Sequence, residues 1–183
     1  MRKAILISSI IFFTIFFLCL LIWNLSISEN RRRNDSVIAF LDQVALNDVS
    51  GNDFESDVFS KFHFNGRDYI GVISVVGHNV VLPIEDVCYN SFIRKQSVCR
   101  YPNESFVLFG TSFKDSFINY ESYDIGDKVL IKNGLGERFL FEVSSVKREG
   151  KFSEIFYNKG DMILVIKDYF SLEYIVFAGV LIG

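Results

Sequence analysis

Cys88, Cys99, His63 and His78 are the side chains best suited to nucleophilic chemistry, because a thiolate attacks acyl carbons and an imidazole exchanges protons near neutral pH. Neither histidine lies close to a cysteine in sequence. A third cysteine, Cys19, falls inside an apolar run, so the three thiols do not form a disulfide framework. Cys88 and Cys99 read as two buried apolar thiols, although a bridge is geometrically possible if they flank a loop between strands. Lys167, with Asp168 and Tyr174 near it, offers a different chemistry, an amine that accepts an acyl group. The plainer reading is a long polar side chain tolerated at a surface. No cofactor and no metal site is expected.

The elements that must position these residues begin with Ala4–Trp23, twenty residues without a charge, which as a helix match a hydrocarbon core about 30 Å thick. This predicts an uncleaved membrane anchor over residues 4–25 after a cytoplasmic tail of residues 1–3. A cleavable signal would end in small residues, whereas Leu20-Leu21-Ile22-Trp23 runs straight into Asn24. Leu18 before Cys19 is too large for a lipidation site, so Cys19 reads as a membrane-buried thiol. Orientation is a near tie by charge, with Arg2 and Lys3 on one side and Arg31, Arg32 and Arg33 on the other. Residues 26–64 read as a juxtamembrane linker. Within it, Asn34-Asp35-Ser36 offers capping side chains to an amphipathic helix from about Ser36 to Leu46, and Asp48 to Ser60 is polar.

Residues 65–183 carry the main domain. Runs such as YIGVISVVG, NVVLPI, SFVLFG, KVLIKN, RFLFEVSSVK, DMILVIK and EYIVFAGVLI, separated by Gly, Asn and Asp, predict about seven or eight short strands and a closed or nearly closed barrel. KDSFINYESY, over 114–123, reads as a short helix or irregular connection. A chain that is 50% hydrophobic, with 20 Phe and 8 Tyr, suits such a packed β-rich domain. Phe106, Phe109, Phe139, Phe141, Phe152, Phe156 and Phe177 are expected mainly in its core. The net charge of −3 offers no field for nucleic acid phosphates, so nucleic acid is not an expected partner.

The order of segments resembles the sortases, the cysteine transpeptidases that join surface proteins to the Gram-positive cell wall or to pilus subunits. YIGVISVVGHNVVLPI looks like the family's first hairpin. SVCRYPNESFVLFGTSFKDSF looks like its stretch through Cys-Arg-Tyr and the strand ending in Gly-His. YDIGDKVLIKNGLGERFLFEV matches its Gly-Asp turn and the next two strands, and DMILVIKDYFSLEYIVFAGVL aligns without a gap on the strand ending in Thr-Cys and the one opening with Arg. The resemblance covers about residues 66–183 and implies a mostly β, sortase-like barrel of about eight strands with short helices, lying outside the cell.

The departures fall on the chemistry. Thr111 stands where the family has its catalytic His, Lys167 where it has the nucleophilic Cys, and Tyr174 where it has the Arg; a shift by one residue brings in Asp168 or Glu173 and restores none of the three. A hydroxyl cannot replace an imidazole as acid, and a lysine attacks only when a dry site frees its lone pair. Tyr174 keeps one donor and no charge. The expectation is therefore a catalytically inactive, membrane-anchored module with no intact catalytic residue. Its partners would be the membrane and a sorting-signal peptide, a surface or pilus protein, or an active sortase. The alternative is an active transpeptidase on an LPxTG-like signal with a rearranged site that uses Lys167 or a displaced cysteine.

Overall fold

The structure is a computed structural model of the 183-residue chain, and it describes residues 2–45, 59–88, 98–101, 106–113, 116–117 and 119–183. The chain divides into two compact units, Met1–Arg33 and Asn34–Gly183.

The first helix, α1 (Arg2–Ala45), contains neither Gly nor Pro and runs unbroken. The caps at Asn34-Asp35-Ser36 therefore do not start a separate helix: the residues expected to form one, as far as Ala45, continue the same rod. Leu46 and nearly all of the expected polar excursion, over 46–58, lie outside the described residues. In the first unit the apolar side chains from Ile10 to Leu25 are exposed, and Thr14 Oγ1 and Asn24 Nδ2 donate back to the carbonyls of Ile10 and Leu20 at 2.7 and 3.1 Å. Polar groups satisfied within the helix suit an apolar surrounding. The helix is long and apolar enough to cross a membrane.

The second unit is a β-barrel. Its strands are β1 (Phe62–Phe64), β2 (Arg67–Val75), β3 (Val80–Glu85), β4 (Val98–Tyr101), β5 (Phe106–Thr111), β6 (Lys128–Asn133), β7 (Arg138–Glu149), β8 (Met162–Lys167) and β9 (Tyr174–Leu181). The sheet order is β1-β2-β3-β4-β5-β8-β9-β7-β6, and β6 returns to pair with β2, which closes eight strands into a barrel and leaves β1 as an extra strip on β2. Closure removes the exposed edges that an open sheet would carry. It also forces a close approach at Gly71, where an added Cβ would lie 2.3 Å from the Lys132 carbonyl oxygen. β1 falls in the stretch expected as linker. It joins β2 through Asn65-Gly66, both at positive φ (49° and 76°), which is the two-residue turn that fits the twist of paired strands.

Side chains alternate along each strand, so the core has two sides. Ile73, Ile84, Leu108, Ile131, Phe141, Leu164, Ile166 and Phe177 fill the barrel interior, with Phe117, Tyr120 and Tyr123 packed into the same cluster from the connection between β5 and β6. Burial pushes the Tyr123 phenol up to about 12, with the Asp127 carboxylate adding to the shift. On the outer side, Cys99, Val107, Phe109, Ile163, Val165 and Val176 pack beneath Ile155 of a short 3-10 helix, Phe152–Tyr157. The end of α1 belongs to this unit, where Val37 and Leu41 pack against Tyr69 and Val72.

The expected phenylalanine core holds at Phe109, Phe141 and Phe177 and is corrected at Phe152. Phe109 is buried on the outer side, and Phe152 is 41% exposed there. Phe106 and Phe139 pack partly buried against the interior, and the Phe156 side chain lies outside the described residues. The segment 114–123 contains one 3-10 turn, Tyr120–Ser122, among its described residues.

Candidate functional site

Three neighbouring strands bring the three singled-out residues into one row. β5 and β8 run parallel with Thr111 opposite Lys167, and β8 and β9 run antiparallel with Lys167 opposite Tyr174. Residues opposite each other in a ladder share a face, and here that is the outer side, because Ile166 before Lys167 and Ile175 after Tyr174 point into the barrel. Gly110, one residue before Thr111, faces inward against Phe117, whose ring carbon would lie 2.3 Å from an added Cβ. That glycine makes room for the Phe117 ring inside the barrel.

The row is chemically sparse. Thr111 is 1% exposed and its hydroxyl finds no hydrogen-bond partner among the described residues. Lys167 is partly exposed, and its Nζ lies 5.5 Å from the centroid of the Tyr174 ring, a cation held on an aromatic face. Tyr174 in turn meets Phe152 edge to face at 5.9 Å. Phe152 stacks on Phe109 at 5.4 Å, and Tyr101 lies against both rings at 5.7 and 5.9 Å. An aromatic strip thus crosses the outer side from Lys167 to β4.

Asp168 does not engage Lys167. Its carboxylate is 5% exposed and organises the connection between β8 and β9. Oδ1 accepts from the Ser112 hydroxyl at 3.0 Å and the Phe170 N–H at 3.2 Å; Oδ2 accepts from the Ser171 N–H at 3.0 Å and its hydroxyl at 2.6 Å. Burial alone would raise the pKa, but these donors hold it well below the usual carboxylate range. The loop they brace carries Phe170 and Leu172 outward, 96% and 68% exposed, with Leu172 at φ 61°. Glu173 pairs with Arg148 at 3.6 Å.

Cys88 and Cys99, read as free buried thiols, form a disulfide. Their Cα atoms are 5.0 Å apart because β4 pairs in parallel with β3 and sets Cys99 opposite Glu85, while the Cys88 N–H donates to the Arg100 carbonyl at 3.0 Å. Asp86 beside them is buried between Lys61 and Arg100, at 2.6 and 2.7 Å. Neither sulfur is therefore a thiol available for a displaced site. Cys19, exposed on α1, is the remaining cysteine.

The histidines are spent elsewhere. His63 Nδ1 meets Asp68 at 2.8 Å across β1 and β2. His78 lies between Asp127, 3.2 Å from Nε2, and Ser122, 3.2 Å from Nδ1, with its ring against Tyr123. Ser122 also donates to the Asn119 carbonyl at 2.7 Å, and the group ties the β2–β3 turn to the start of β6. Sequence reasoning missed this tie and the Asp168 brace. The spacing of Asp168 and Ser171 was the available signal for the brace, since an Asp side chain readily caps the backbone two or three residues on. Among the described residues no group of three or more His, Cys, Asp or Glu is arranged to hold a metal.

Comparison with known proteins agrees with this geometry at the level of fold. No family model matches the sequence, and no curated protein matches it. Solved structures do match. Sortase C1 from Streptococcus agalactiae has a TM-score of 0.56 at 16% identity, over 69% of this chain and 74% of that one. The X-ray structure of Clostridium perfringens sortase C with the C-terminal cell wall sorting motif has a TM-score of 0.56 at 13% identity, over 86% and 96%. Sortase A from Corynebacterium diphtheriae gives 0.54 at 17%, over 81% and 84%. The chain has the sortase fold, a closed eight-stranded barrel preceded by a long apolar helix.

Proposed function

We propose that this chain is a membrane-tethered, catalytically inactive sortase-like module that binds or assembles surface proteins outside the cell. Its occupant is a sorting-signal peptide, a surface or pilus protein, or a partner sortase. The observation that carries this reading is the row Thr111, Lys167, Tyr174, which supplies no thiol, imidazole or guanidinium where three strands meet. Thioester chemistry needs a sulfur nucleophile, and acyl transfer needs an acid for the leaving amine. The Cys88–Cys99 bridge supports the same reading twice. It removes both cysteines from a displaced site, and disulfides persist in oxidising surroundings such as the outside of a bacterial cell. The apolar span of α1 supports a single-pass anchor, and Arg31, Arg32 and Arg33 just beyond it suit anionic lipid or wall polymer.

The competing reading, acyl transfer through Lys167, requires a free amine in a dry pocket. Lys167 is instead partly exposed, with its Nζ over the Tyr174 ring. The test is to present the full chain in detergent to a defined panel of sorting-signal peptides, pilus subunits and sortases. The reading expects at least one to bind with both masses unchanged afterwards. Binding to none of them contradicts it.

A further inference from the structure

We infer that Lys167 and the aromatic strip beside it form a recognition site for a peptide's C-terminal carboxylate. The inference rests on the binding-module reading and names the ligand of that surface: a chain end already cut, instead of an intact signal awaiting cleavage.

Charge carries the argument. Lys167 makes no ion pair with any carboxylate among the described residues, and its ammonium lies over the Tyr174 ring. The nearest carboxylate in sequence, Asp168, is buried and satisfied by the Ser112 hydroxyl from the end of β5 and by the Ser171 hydroxyl and two backbone N–H groups of its own loop. Glu173 is paired with Arg148. Glu149 stands opposite Tyr174 on β7 and forms no ion pair with Lys167. A cation with an aromatic backing and no counter-ion of its own is a receptor for an external anion.

The same surroundings restrict the anion. One ammonium with Glu149 opposite Tyr174 and with Asp168 and Glu173 in the adjoining loop suits a single negative charge and disfavours a phosphate dianion. Away from Lys167 the surface continues through Tyr174, Phe152 and Tyr101 in successive ring contact above the buried Phe109, with Phe152 41% exposed. A carboxylate that ends an apolar stretch of peptide meets both halves of this surface, the charge at Lys167 and the side chains along the rings. An intact signal carries a neutral amide at that point and gains nothing from the ammonium.

The test uses the full chain in detergent and two probes, N-acetylated Leu-Pro-Ala-Thr as the free acid and as the carboxamide, with affinities measured by titration calorimetry. The acid is expected to bind at least tenfold more tightly than the amide. Lys167→Met is expected to bring the acid down to the affinity of the amide and leave the amide unchanged, while Lys167→Arg keeps the preference. Decanoate serves as a third probe, and tighter binding of decanoate than of the peptide acid overturns the peptide assignment. Equal binding of acid and amide overturns the inference and leaves the binding-module reading standing. Binding of neither peptide overturns the inference and counts against that reading for sorting-type peptides.

Discussion

Ile166 and Lys167 are consecutive on β8, yet they answer to different requirements. Ile166 points into the barrel, fully buried, among Leu108, Ile175 and Phe177. Lys167 points out, beside Thr111 and Tyr174. The inner side is constrained by close packing, where a missing methylene leaves a cavity and an extra one a clash. The outer row is constrained only by what it touches. Since neighbouring positions on one strand face opposite ways, the barrel can keep its interior while the row on its surface changes chemistry completely. Retention of a fold therefore says little about retention of a reaction, because the positions that carry the one lie a single residue from those that carry the other.

Substitutions on the two sides measure that separation. The largest effect belongs to the interior: Phe177→Ala is expected to cost about 3–5 kcal/mol in denaturant unfolding of the full chain, because the barrel cannot collapse around the lost ring. A cost below ~1 kcal/mol would show a loose core. The disulfide comes next. It closes a loop between residues 88 and 99, and replacing both cysteines by alanine is expected to cost about 3 kcal/mol. Alkylation under denaturing conditions checks the bond itself, with one reactive thiol before reduction and three after it.

Asp168, at the boundary between the two sides, is intermediate. Asp168→Asn removes charge-assisted acceptance from four donors and is expected to cost about 1–3 kcal/mol. Its folded pKa lies below the ordinary value of 3.8, so its contribution is complete above that pH and is lost as pH falls toward the folded value. Wild type is accordingly expected to lose stability more steeply than Asp168→Asn below about pH 4. Parallel acid profiles would remove the carboxylate from the account. The smallest effect belongs to the outer row: Lys167→Ala forfeits a cation over a ring and is expected to cost about 0.5–1 kcal/mol. A loss as large as that of Phe177→Ala would abolish the contrast between the two sides.

The barrel was largely legible in the sequence because alternation and turn residues are local signals. β2, β3 and β5–β9 fall where short β-type runs predict them. Two short strands did not stand out. β1 has three residues, and its signal lay in the following Asn65-Gly66 turn. β4 pairs in parallel with β3, a contact that depends on the chain returning after Glu85 and that no local pattern encodes. The disulfide stayed the less favoured of two open readings for the same reason, since parallel pairing is what draws Cys99 back to Cys88. At Asn34-Asp35-Ser36, uninterrupted helical hydrogen bonding prevailed over a weak capping preference. In the site, the positions of Thr111, Lys167 and Tyr174 could be proposed from segment order. Their alignment in one row required the register of β5, β8 and β9. The fate of Asp168 depended on Ser112, a residue on another strand's end that sequence spacing does not connect to it.

Intact-mass spectrometry of the full chain, after incubation with an LPxTG-like peptide under conditions where an active sortase turns over, tests most directly whether the row Thr111, Lys167, Tyr174 has lost the reaction. The account predicts an unchanged protein mass and an uncut peptide. An acyl adduct on the protein, with release of the peptide's glycine end, would contradict it.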